Sequence, residues 1–512
     1  MEIEQLAFLK HLVRFKRQVY LDNNATTNVS RHVLNTMNHA LKHGYGNPSS
    51  LYGVARKSAE IIQKSRQHLA DAIHADPHEI YFTSCATESN NAALKSLNTY
   101  FYPEKKKIIA TPIEHPSITS TLEFLKTQGT VVEYCPVDRQ GRVVLTELEQ
   151  MIDGDTFLIC CMLANNEIGT IQDIEAITKI ARQHDVLVLS DCVQALGKIP
   201  IDVHRWGIDY ASFSAHKLYG PKGIGVLYVK QGSPFTPFMH GGHQENGMRA
   251  GTESTHNIAG FGAASQEVGK LLSQAEKIRV LKNELIERLK EIKPDCVINS
   301  AVADCLPNTI SVTFPNVDNA GLMAHLDYHG IAVSAGSACS TGEDKPSHVL
   351  KAIGLSDQAA RETIRISLGS STSARDIQYT ARMIRDYVEG RTQSVNMITS
   401  AQLNETILFD DQTYILDVRP ADDRRRFKGL PNSHEVPSLS VGDYLNQIPG
   451  DKQILVVCPG GGLSFMVSYY LKAKGFKHVT NLRGGLDGWR KRRSDLYEKY
   501  AGQNITVLQP TK

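Results

Sequence analysis

Residues 212–229 hold a lysine in surroundings that suit covalent chemistry with an aldehyde. The stretch reads Ser-Phe-Ser-Ala-His-Lys-Leu-Tyr-Gly-Pro-Lys-Gly-Ile-Gly-Val-Leu-Tyr-Val, and its apolar end is typical of a buried strand. Glycine and proline predict a turn before that strand, which leaves Lys217 at the edge of a packed element. Partial desolvation there lowers the pKa of an amine and makes it nucleophilic, whereas a solvated loop lysine is the alternative. Ser212, Ser214 and His216 supply donors that a phosphate-bearing aldehyde cofactor needs.

Two further polar residues follow the apolar run 186–189, near the point where a strand is expected to end. These are Asp191 and, three residues later, Gln194. A carboxylate at such an edge can pair with a protonated ring nitrogen and make a pyridinium ring a better electron sink. An aspartate that caps a helix is the alternative interpretation of Asp191.

Residues 83–89, Thr-Ser-Cys-Ala-Thr-Glu-Ser, precede a helical pattern at residues 90–97. Hydroxyls and free N–H groups at a helix start form an anion site that suits a phosphate, and an ordinary capping box is the alternative. His115 follows a predicted strand and could stack on a ring or carry a proton near neutral pH, although a lone histidine can equally be structural. Residues 165–167, Asn-Asn-Glu, offer amides to a ligand or form a simple turn.

Size and composition favour a multidomain globular protein. A chain of 512 residues is too long for one ordinary core. The net charge of +2 gives no reason to expect nucleic acid or membrane as a partner, and no apolar stretch reaches the length of a membrane span. Nine cysteines without a regular spacing favour reduced thiols in the cytoplasm, and the absence of a CxxC pair makes a zinc site unexpected. The first residues do not have the pattern of a secretory signal.

The order of apolar and helical patterns predicts an α/β chain with several parts. Short apolar runs alternate with helical patterns, which predicts βα units around a mostly parallel sheet. Ligands of such sheets gather at the carboxyl ends of the strands. The predicted parts are an N-terminal arm (1–18), a large domain (19–270), a small α+β subdomain (271–392), a linker (393–404) and a separate C-terminal unit (405–500).

Seven short motifs, in order over residues 19 to about 390, together resemble the pyridoxal-phosphate-dependent cysteine desulfurases. These NifS- and IscS-like enzymes are class V aminotransferases of fold type I. The matching stretches are Tyr20–Thr26 (Tyr-Leu-Asp-Asn-Asn-Ala-Thr), Phe82–Ser89, Ala164–Gly169 (Ala-Asn-Asn-Glu-Ile-Gly), Asp191–Gln194, Ser214–Lys217 (Ser-Ala-His-Lys), Met248–Thr252 and Ser337–Ser340 (Ser-Ala-Cys-Ser).

The resemblance implies a role for each matching residue. Lys217 is expected to bind the cofactor aldehyde, and Arg365 to bind the substrate carboxylate with help from Asn47; the arginine fork matches a carboxylate. The residues expected around pyridoxal 5'-phosphate are Asp191 at the ring nitrogen, Gln194 at the ring hydroxyl, His115 stacked on the ring, Asn166 beside it, and Ala86, Thr87, Ser214, His216 and a partner subunit's Thr252 at the phosphate. Cys85 and Ala215 stand where the family usually has glycine.

Cys339 is the expected sulfur acceptor. It lies in Ser-Ala-Gly-Ser-Ala-Cys-Ser-Thr-Gly-Glu-Asp-Lys-Pro, residues 334–346, whose small and polar composition predicts an exposed loop. The span after Cys339 resembles the longer loop of the group I desulfurases. A thiol on such a loop can travel between cofactor and acceptor, whereas Cys160 and Cys161 are predicted to be inert strand residues.

The C-terminal unit resembles a rhodanese-like domain over about residues 405–495. Cys458, in Cys-Pro-Gly-Gly-Gly-Leu-Ser, has the expected position between strand and helix, where backbone N–H groups can hold an anion or persulfide. Two features depart from that family. Pro459 and Leu463 replace the loop arginines, and Gly429 replaces the usual histidine of a Gly-His-Ile-Pro motif, so thiosulfate cleavage is not expected.

The resulting hypothesis is a homodimeric, cytoplasmic desulfurase that converts L-cysteine to L-alanine and leaves a persulfide on Cys339. In it, Lys217 moves the Cα proton, His115 handles the thiol proton of the substrate, and Cys458 either relays the sulfur or belongs to a silent docking domain. The acceptor would be an iron–sulfur scaffold or a thiolation enzyme. A selenocysteine lyase, another class V lyase or transaminase, and a sulfur-carrier scaffold without turnover are the alternatives.

Overall fold

The computed structural model describes residues 18–300, 303–335, 346–391 and 395–509. Cys339, nearly all of the predicted N-terminal arm and part of the predicted linker lie outside these described residues. None of the helices within these ranges combines the length and the apolar composition that crossing a bilayer requires.

The strands and helices alternate along most of the chain. The strands are β1 (Val19–Tyr20), β2 (Ile80–Thr83), β3 (Lys107–Ala110), β4 (Val131–Tyr134), β5 (Thr156–Cys160), β6 (Leu187–Asp191), β7 (Tyr210–Ser214), β8 (Gly225–Val229), β9 (Val297–Ile298), β10 (Thr309–Thr313), β11 (Ile331–Ala332), β12 (Ser334–Ala335), β13 (Thr363–Ser367), β14 (Asn396–Thr399), β15 (Thr413–Asp417), β16 (Ser433–Glu435), β17 (Gln453–Val457), β18 (Val479–Arg483) and β19 (Thr506–Val507).

The helices are α1 (Arg31–His43), α2 (Gly53–Ile73), α3 (Ala86–Phe101), α4 (Pro116–Lys126), α5 (Leu145–Met151), α6 (Ile174–Gln183), α7 (Val203–Trp206), α8 (Thr255–Gln266), α9 (Val268–Ile292), α10 (Asn319–Tyr328), α11 (His348–Ala352), α12 (Asp357–Arg361), α13 (Ala374–Val388), α14 (Glu405–Leu408), α15 (Ala421–Arg426), α16 (Gly462–Ala473), α17 (Gly485–Arg492) and α18 (Ser494–Tyr500). Short 3₁₀ turns add Pro77–Glu79, Ala215–Lys217, Gln244–Gly247 and Ser438–Gln447.

The large domain is built on a seven-stranded sheet in the order β2-β8-β7-β6-β5-β3-β4. Only β8 runs against its neighbours, so the sheet is mostly parallel, as predicted. Every residue of β5, β7 and β8 is buried, because helices cover both faces of the sheet. The carboxyl ends of the parallel strands therefore meet at one edge, where the predicted site residues follow β3, β5, β6 and β7.

The small subdomain has an antiparallel sheet in the order β12-β13-β10-β9, and β1 pairs with β11 beside it. Helix α9 packs on this sheet through Leu281, Leu285 and Leu289, whose spacing of four residues places them on one helix face. Because β1 comes from the N-terminal end of the large domain, this pairing joins the two parts beside the motif at residues 20–26.

The C-terminal unit is a separate six-stranded parallel sheet in the order β14-β18-β17-β15-β16-β19. The predicted linker needs a correction here, because residues 396–399 form the edge strand β14 and pair with β18. A short polar strand held at a sheet edge by backbone hydrogen bonds carries little periodicity, so its sequence resembles a linker.

Candidate active site

Lys217 ends the 3₁₀ turn that follows β7, at the carboxyl edge of the large sheet. Its Nζ donates hydrogen bonds to the carbonyl oxygens of Asn24 and Ala25, each at 2.6 Å. Burial, followed by the charge of Arg365, lowers the pKa of the Lys217 amine to about 8, against the opposing effects of Asp191 and Asp22. The amine is therefore partly uncharged near neutral pH, which confirms the environment predicted for it.

Asp191, the last residue of β6, is buried beside this amine. One carboxylate oxygen accepts from the backbone N–H of Val193 at 3.0 Å, and the other accepts from the side-chain amide of Asn90 at 3.1 Å. Asn90 also donates to the hydroxyl of Ser117 at 2.8 Å, while its own Oδ1 is buried without a partner. These two donors fix the orientation of the Asp191 carboxylate.

His115 caps the N-terminus of α4, because its Nδ1 accepts from the backbone N–H of Ser117 at 3.1 Å. Since Nδ1 is an acceptor, the neutral ring carries its proton on Nε2. Burial lowers the pKa of His115, Asp191 opposes that shift, and Lys217 adds to it. The imidazole is thus neutral near pH 7 and stands within electrostatic range of both groups.

An open cavity of about 410 Å³ lies in front of His115, and it reaches the N-terminal turn of α3 through Thr87. Helix α3 starts at Ala86, so its first N–H groups face outward without helical partners. Gly225 lets the sheet approach this turn, since a Cβ there would overlap the Cys85–Ala86 peptide. Cys85 itself has an extended backbone that any residue adopts. The helix start offers N–H groups and a hydroxyl to an anion.

His216 lies next to Lys217, and its Nδ1 is 3.1 Å from the hydroxyl of Thr26. Burial, with Lys217 and Lys222, lowers the pKa of His216 to about 4, so the ring is neutral. Ser214 is buried at the end of β7. Both are close in sequence and space to the reactive amine, as predicted.

Arg365 on β13 extends into the same cluster from the small subdomain. Its guanidinium donates to Asp22 at 2.8 Å and to the backbone oxygen of Asn166 at 3.1 Å, while its Nε is buried without a partner. An arginine with an unpartnered N–H beside Lys217 is suited to a carboxylate ligand.

Asn24 connects these groups, although no role was predicted for it within the motif at residues 20–26. Its backbone oxygen accepts from Lys217 and from Gln194, and its side-chain amide donates to the backbone oxygen of Asn166 at 3.1 Å and to Thr309 at 2.8 Å. The partners of Asn24 are distant in the chain, so the local sequence pattern does not indicate these contacts.

Gln194 is held by a second lysine that the sequence did not indicate. Lys198 donates to the side-chain oxygen of Gln194 at 2.6 Å and to that of Asn24 at 3.2 Å. The side chain of Lys198 lines a small internal cavity with Lys217, and burial lowers its pKa well below the ordinary value. Because Lys198 is a donor, the amide of Gln194 is fixed with its NH₂ group turned toward Asn24.

Two contacts hold the chain that follows residues 336–345. Ser347 donates to the carboxyl of Glu167 at 2.6 Å, and His348 Nε2 contacts the backbone oxygen of Glu114 at 2.8 Å. Burial raises the pKa of both Glu167 and Glu114 to about 7. These carboxyls were not predicted as site residues, because their burial comes entirely from the tertiary packing.

Two predicted site residues stand apart from the cluster within this chain. Asn47 is exposed and its side chain accepts from the backbone of Ser49, and Thr252 lies in an exposed segment before α8. Their predicted roles in substrate binding and in a partner subunit's phosphate site stay predictions.

The donors of the cluster fit pyridoxal 5'-phosphate. An amine with a lowered pKa suits the aldehyde, the fixed carboxylate of Asp191 suits a ring nitrogen, and the open start of α3 suits a phosphate. The buried, unpartnered oxygens of Asn90 and Ser212 are additional hydrogen-bonding capacity at the carboxyl edge. The open cavity beside His115 lies between α3 and α4 and includes Thr87 and Ser117 in its lining.

The C-terminal unit has its own thiol site. Cys458 Sγ accepts from the backbone N–H groups of Gly461 at 3.1 Å and Ser464 at 3.2 Å. The Ser464 hydroxyl lies 3.2 Å from Sγ and donates to the side-chain oxygen of Asn481 at 2.6 Å. The loop of residues 458–464, here called the Cys458 cradle, leads into the first turn of α16. Gly485 packs so closely on this loop that a Cβ at position 485 would overlap the carbonyl oxygens of Cys458 and Pro459. The thiol is only 1% exposed.

Gly429 lies against the buried ion pair of Arg419 and Asp417, which are 2.6 Å apart. A Cβ at this position would stand 2.8 Å from both side chains. The ion pair thus fills the space next to Gly429, the position at which the sequence departs from the histidine usual in rhodanese-like domains.

Comparison with known proteins identifies both parts of the chain. The aminotransferase class-V family matches residues 19–380, and the rhodanese-like domain family matches residues 400–492. The cysteine desulfurase IscS of Dictyoglomus turgidum is 40% identical over 375 residues, which are 73% of this chain and 95% of that protein. IscS of Methanosarcina thermophila is 39% identical over 374 residues, 73% of this chain and 92% of that protein.

Comparison with solved structures leads to the same family. A NifS-like protein superposes with a TM-score of 0.69 at 40% identity and covers 73% of this chain and 100% of its own. SspA in complex with cysteine superposes with a TM-score of 0.62 at 38% identity, over 69% of this chain and 99% of its own. The predicted fold class and both family resemblances are therefore confirmed. The chain belongs to the class-V aminotransferase family, in its cysteine desulfurase group, and continues into a rhodanese-like domain.

Proposed function

We propose that the protein is a pyridoxal-phosphate-dependent cysteine desulfurase that passes sulfur to acceptor proteins. The C–S bond of L-cysteine breaks and an S–S bond forms on Cys339, so that L-cysteine plus the Cys339 thiol gives L-alanine plus the Cys339 persulfide. Atoms and electrons balance without a further oxidant, because the sulfur leaves as sulfane sulfur and the carbon skeleton is protonated.

The observation that carries this proposal is the Lys217 amine, whose pKa is lowered to about 8 among Asp191, His115 and Arg365. An uncharged amine binds an aldehyde and then serves as a base at Cα. Pyridoxal phosphate, when bound, supplies an electron sink for the Cα carbanion.

The remaining residues of the chain position the substrate and its protons. Arg365 binds the substrate carboxylate through its unpartnered N–H. The neutral His115 takes the proton of the substrate thiol, since its lowered pKa keeps it a base near pH 7. Asp191 would face the ring nitrogen, with its orientation set by the two donors that its oxygens accept from. The phosphate is held by the start of α3 at Ala86 and Thr87, by Ser214 and His216, and by Thr252 of a second copy in a homodimer.

Cys458 is proposed as a second sulfur carrier. The Cys339 persulfide plus the Cys458 thiol gives the Cys339 thiol plus the Cys458 persulfide, which again balances. Two backbone N–H groups directed at Cys458 Sγ suit a thiolate or persulfide. Its 1% exposure requires the cradle to open during transfer, and a silent docking domain is the competing interpretation.

The wider setting is also part of the proposal. L-cysteine is the substrate, an iron–sulfur scaffold or a thiolation enzyme receives the sulfur, and the enzyme acts in the cytoplasm. SspA, a relative of known structure, is described in complex with cysteine. A selenocysteine lyase or a transaminase would use the same amine, but a transaminase needs a keto acid and no thiol.

The test combines product analysis with mass spectrometry of the cofactor-loaded full-length chain. We expect equal amounts of alanine and sulfane sulfur from L-cysteine without a keto acid, and persulfide on both Cys339 and Cys458. A Cys339→Ala variant should lose the persulfide on Cys458, and Cys296→Ala, which removes another partly exposed thiol, should not.

The outcomes separate the proposals. Alanine formed only with a keto acid would contradict the desulfurase. Persulfide confined to Cys339 would contradict the relay and leave the C-terminal domain as a docking module.

A pH prediction follows from the lowered pKa of Lys217. An amine is uncharged above its pKa, so in cofactor-free protein the rate at which an acylating reagent labels Lys217 should rise with pH, with a midpoint of about 8. Mass spectrometry of the Lys217 peptide measures it, with the exposed Lys222 as internal reference. A midpoint near the ordinary value of 10.5 would contradict the burial described here.

A further inference from the structure

The rhodanese-like domain packs on the small subdomain through a defined surface between α10 and α16. Ala324 on α10 is buried against Phe465 and Tyr469 on α16, and Val395 and Met397 pack around them. Phe465 and Tyr469 are 3% and 6% exposed, although both project from the surface helix of a separate sheet unit. The contact therefore excludes water from two aromatic rings.

A hydrogen bond closes this surface. His325 Nδ1 is 2.6 Å from the hydroxyl of Tyr469, and His325 Nε2 is 3.0 Å from the backbone oxygen of Met383. A carbonyl oxygen only accepts, so Nε2 carries the proton and Nδ1 accepts from the tyrosine hydroxyl. The direction of the bond between the domains is thereby fixed.

His325 has the environment that this bond needs. Its side chain is fully buried, and burial together with the neighbouring His329 lowers its pKa to about 4, against an opposing effect of Asp386. The ring is therefore neutral near pH 7 and keeps Nδ1 as an acceptor. The rings of Tyr387 and Tyr469 pack beside it at centroid distances of 5.6 and 5.8 Å.

The same helix that docks also forms the Cys458 cradle. Ser464 in the first turn of α16 donates to Cys458 Sγ, and the next residue, Phe465, packs on α10. On the other side, the chain runs from α10 through β11 to β12, which ends at Ala335, four residues before Cys339 in the sequence. The contact between α10 and α16 thus joins the helix next to Cys458 to the subdomain whose sequence leads to Cys339.

We propose that the α10–α16 surface, closed by the Tyr469–His325 hydrogen bond, is a docking site that fixes the Cys458 cradle on the subdomain that carries Cys339 in its sequence. Tyr469 and His325 are positioning residues for sulfur transfer between the domains. The transfer part rests on the proposed relay, whereas the docking part stands without it. A linker alone would give the second thiol a high effective concentration, and a fixed orientation adds to that.

The experiment uses the cofactor-loaded full-length protein and two variants. Tyr469→Phe removes the hydroxyl and keeps the ring, and Ala324→Arg places a large charged side chain in the docking surface. The matched control is Tyr470→Phe, the next residue of α16, whose ring packs on the core of its own domain.

Two measurements are made on each. The amide hydrogen-exchange rates of α10 and α16 measure whether the two helices are packed together. Time-resolved mass spectrometry after a pulse of L-cysteine measures the rate at which Cys458 gains a persulfide. We expect Tyr469→Phe to increase exchange and slow loading of Cys458 by about 2- to 10-fold, the range of one net hydrogen bond. Ala324→Arg should raise exchange in both helices and slow loading by more than about 10-fold, with alanine release unchanged.

Unchanged exchange in Ala324→Arg, or equal losses in Tyr470→Phe, would overturn the docking site. Increased exchange with unchanged loading would overturn the positioning role. If Cys458 gains no persulfide even in the wild type, the relay fails, and hydrogen exchange still decides whether the domains dock at this surface.

Discussion

Replacing Cys339 with serine should abolish persulfide formation and lower alanine release on the order of 10³-fold or more. A thiolate attacks the substrate sulfur and retains it, whereas a serine hydroxyl is neither ionised near neutral pH nor able to hold sulfane sulfur. The visible absorbance of the bound cofactor should persist, because Lys217 and the cluster around it are untouched. Alanine, sulfide and persulfide assays on the purified variant measure these effects.

The control for Cys339→Ser is Cys296→Ser, which removes a partly exposed thiol directly before β9, the strand that pairs with β10. It should keep full activity. Full turnover by Cys339→Ser would show that another thiol accepts the sulfur, and retained persulfide on Cys458 would make Cys458 the first acceptor.

Replacing Lys217 with alanine should remove both the covalent attachment of the cofactor and the base at Cα. Loss of a positioned general base alone costs about 10²- to 10⁴-fold, and loss of the amine that binds the aldehyde adds to it. We therefore expect turnover to fall by about 10⁴-fold or more, with loss of the visible absorbance band that the cofactor gains on attachment. Absorbance spectra and single-turnover alanine release measure the two effects separately.

Two comparisons keep the Lys217→Ala result interpretable. Lys222→Ala changes the exposed lysine on the following turn and should leave spectrum and rate unchanged. Thermal unfolding of Lys217→Ala should remain cooperative. The lysine side chain donates two hydrogen bonds to backbone oxygens and is not part of a hydrophobic core. A variant that folds and keeps turnover near the wild-type rate would exclude Lys217 as the reactive amine.

The sequence predicted the large sheet well because its strands are buried on both faces. The apolar run at residues 186–189 predicted β6 within two residues at each end, and the apolar end of the stretch 212–229 forms β8. Strand β14 was not predicted, because none of its four residues is fully buried and the strand is held by backbone pairing with β18. Apolar periodicity reports burial, so elements stabilised mainly by their backbone escape it.

The prediction of the site succeeded where a residue follows a strand of the parallel sheet. Lys217, Asp191 and His115 meet because carboxyl ends of neighbouring parallel strands share one edge. Arg365 lies in the small subdomain, and only the resemblance to the cysteine desulfurases indicated it. Asn24 and Lys198 were missed, since they support other site residues through backbone oxygens and amides rather than acting as recognisable groups.

The amino-acid sequence by itself determined the fold class, the pyridoxal-phosphate type of site and the two candidate sulfur carriers, because strand patterns and reactive side chains are properties of local sequence. Only the tertiary structure decided the lowered pKa of Lys217, the raised pKa of Glu114 and the seating of Tyr469 on His325. Those depend on desolvation and on contacts between residues far apart in the chain, which exist only once the elements have packed.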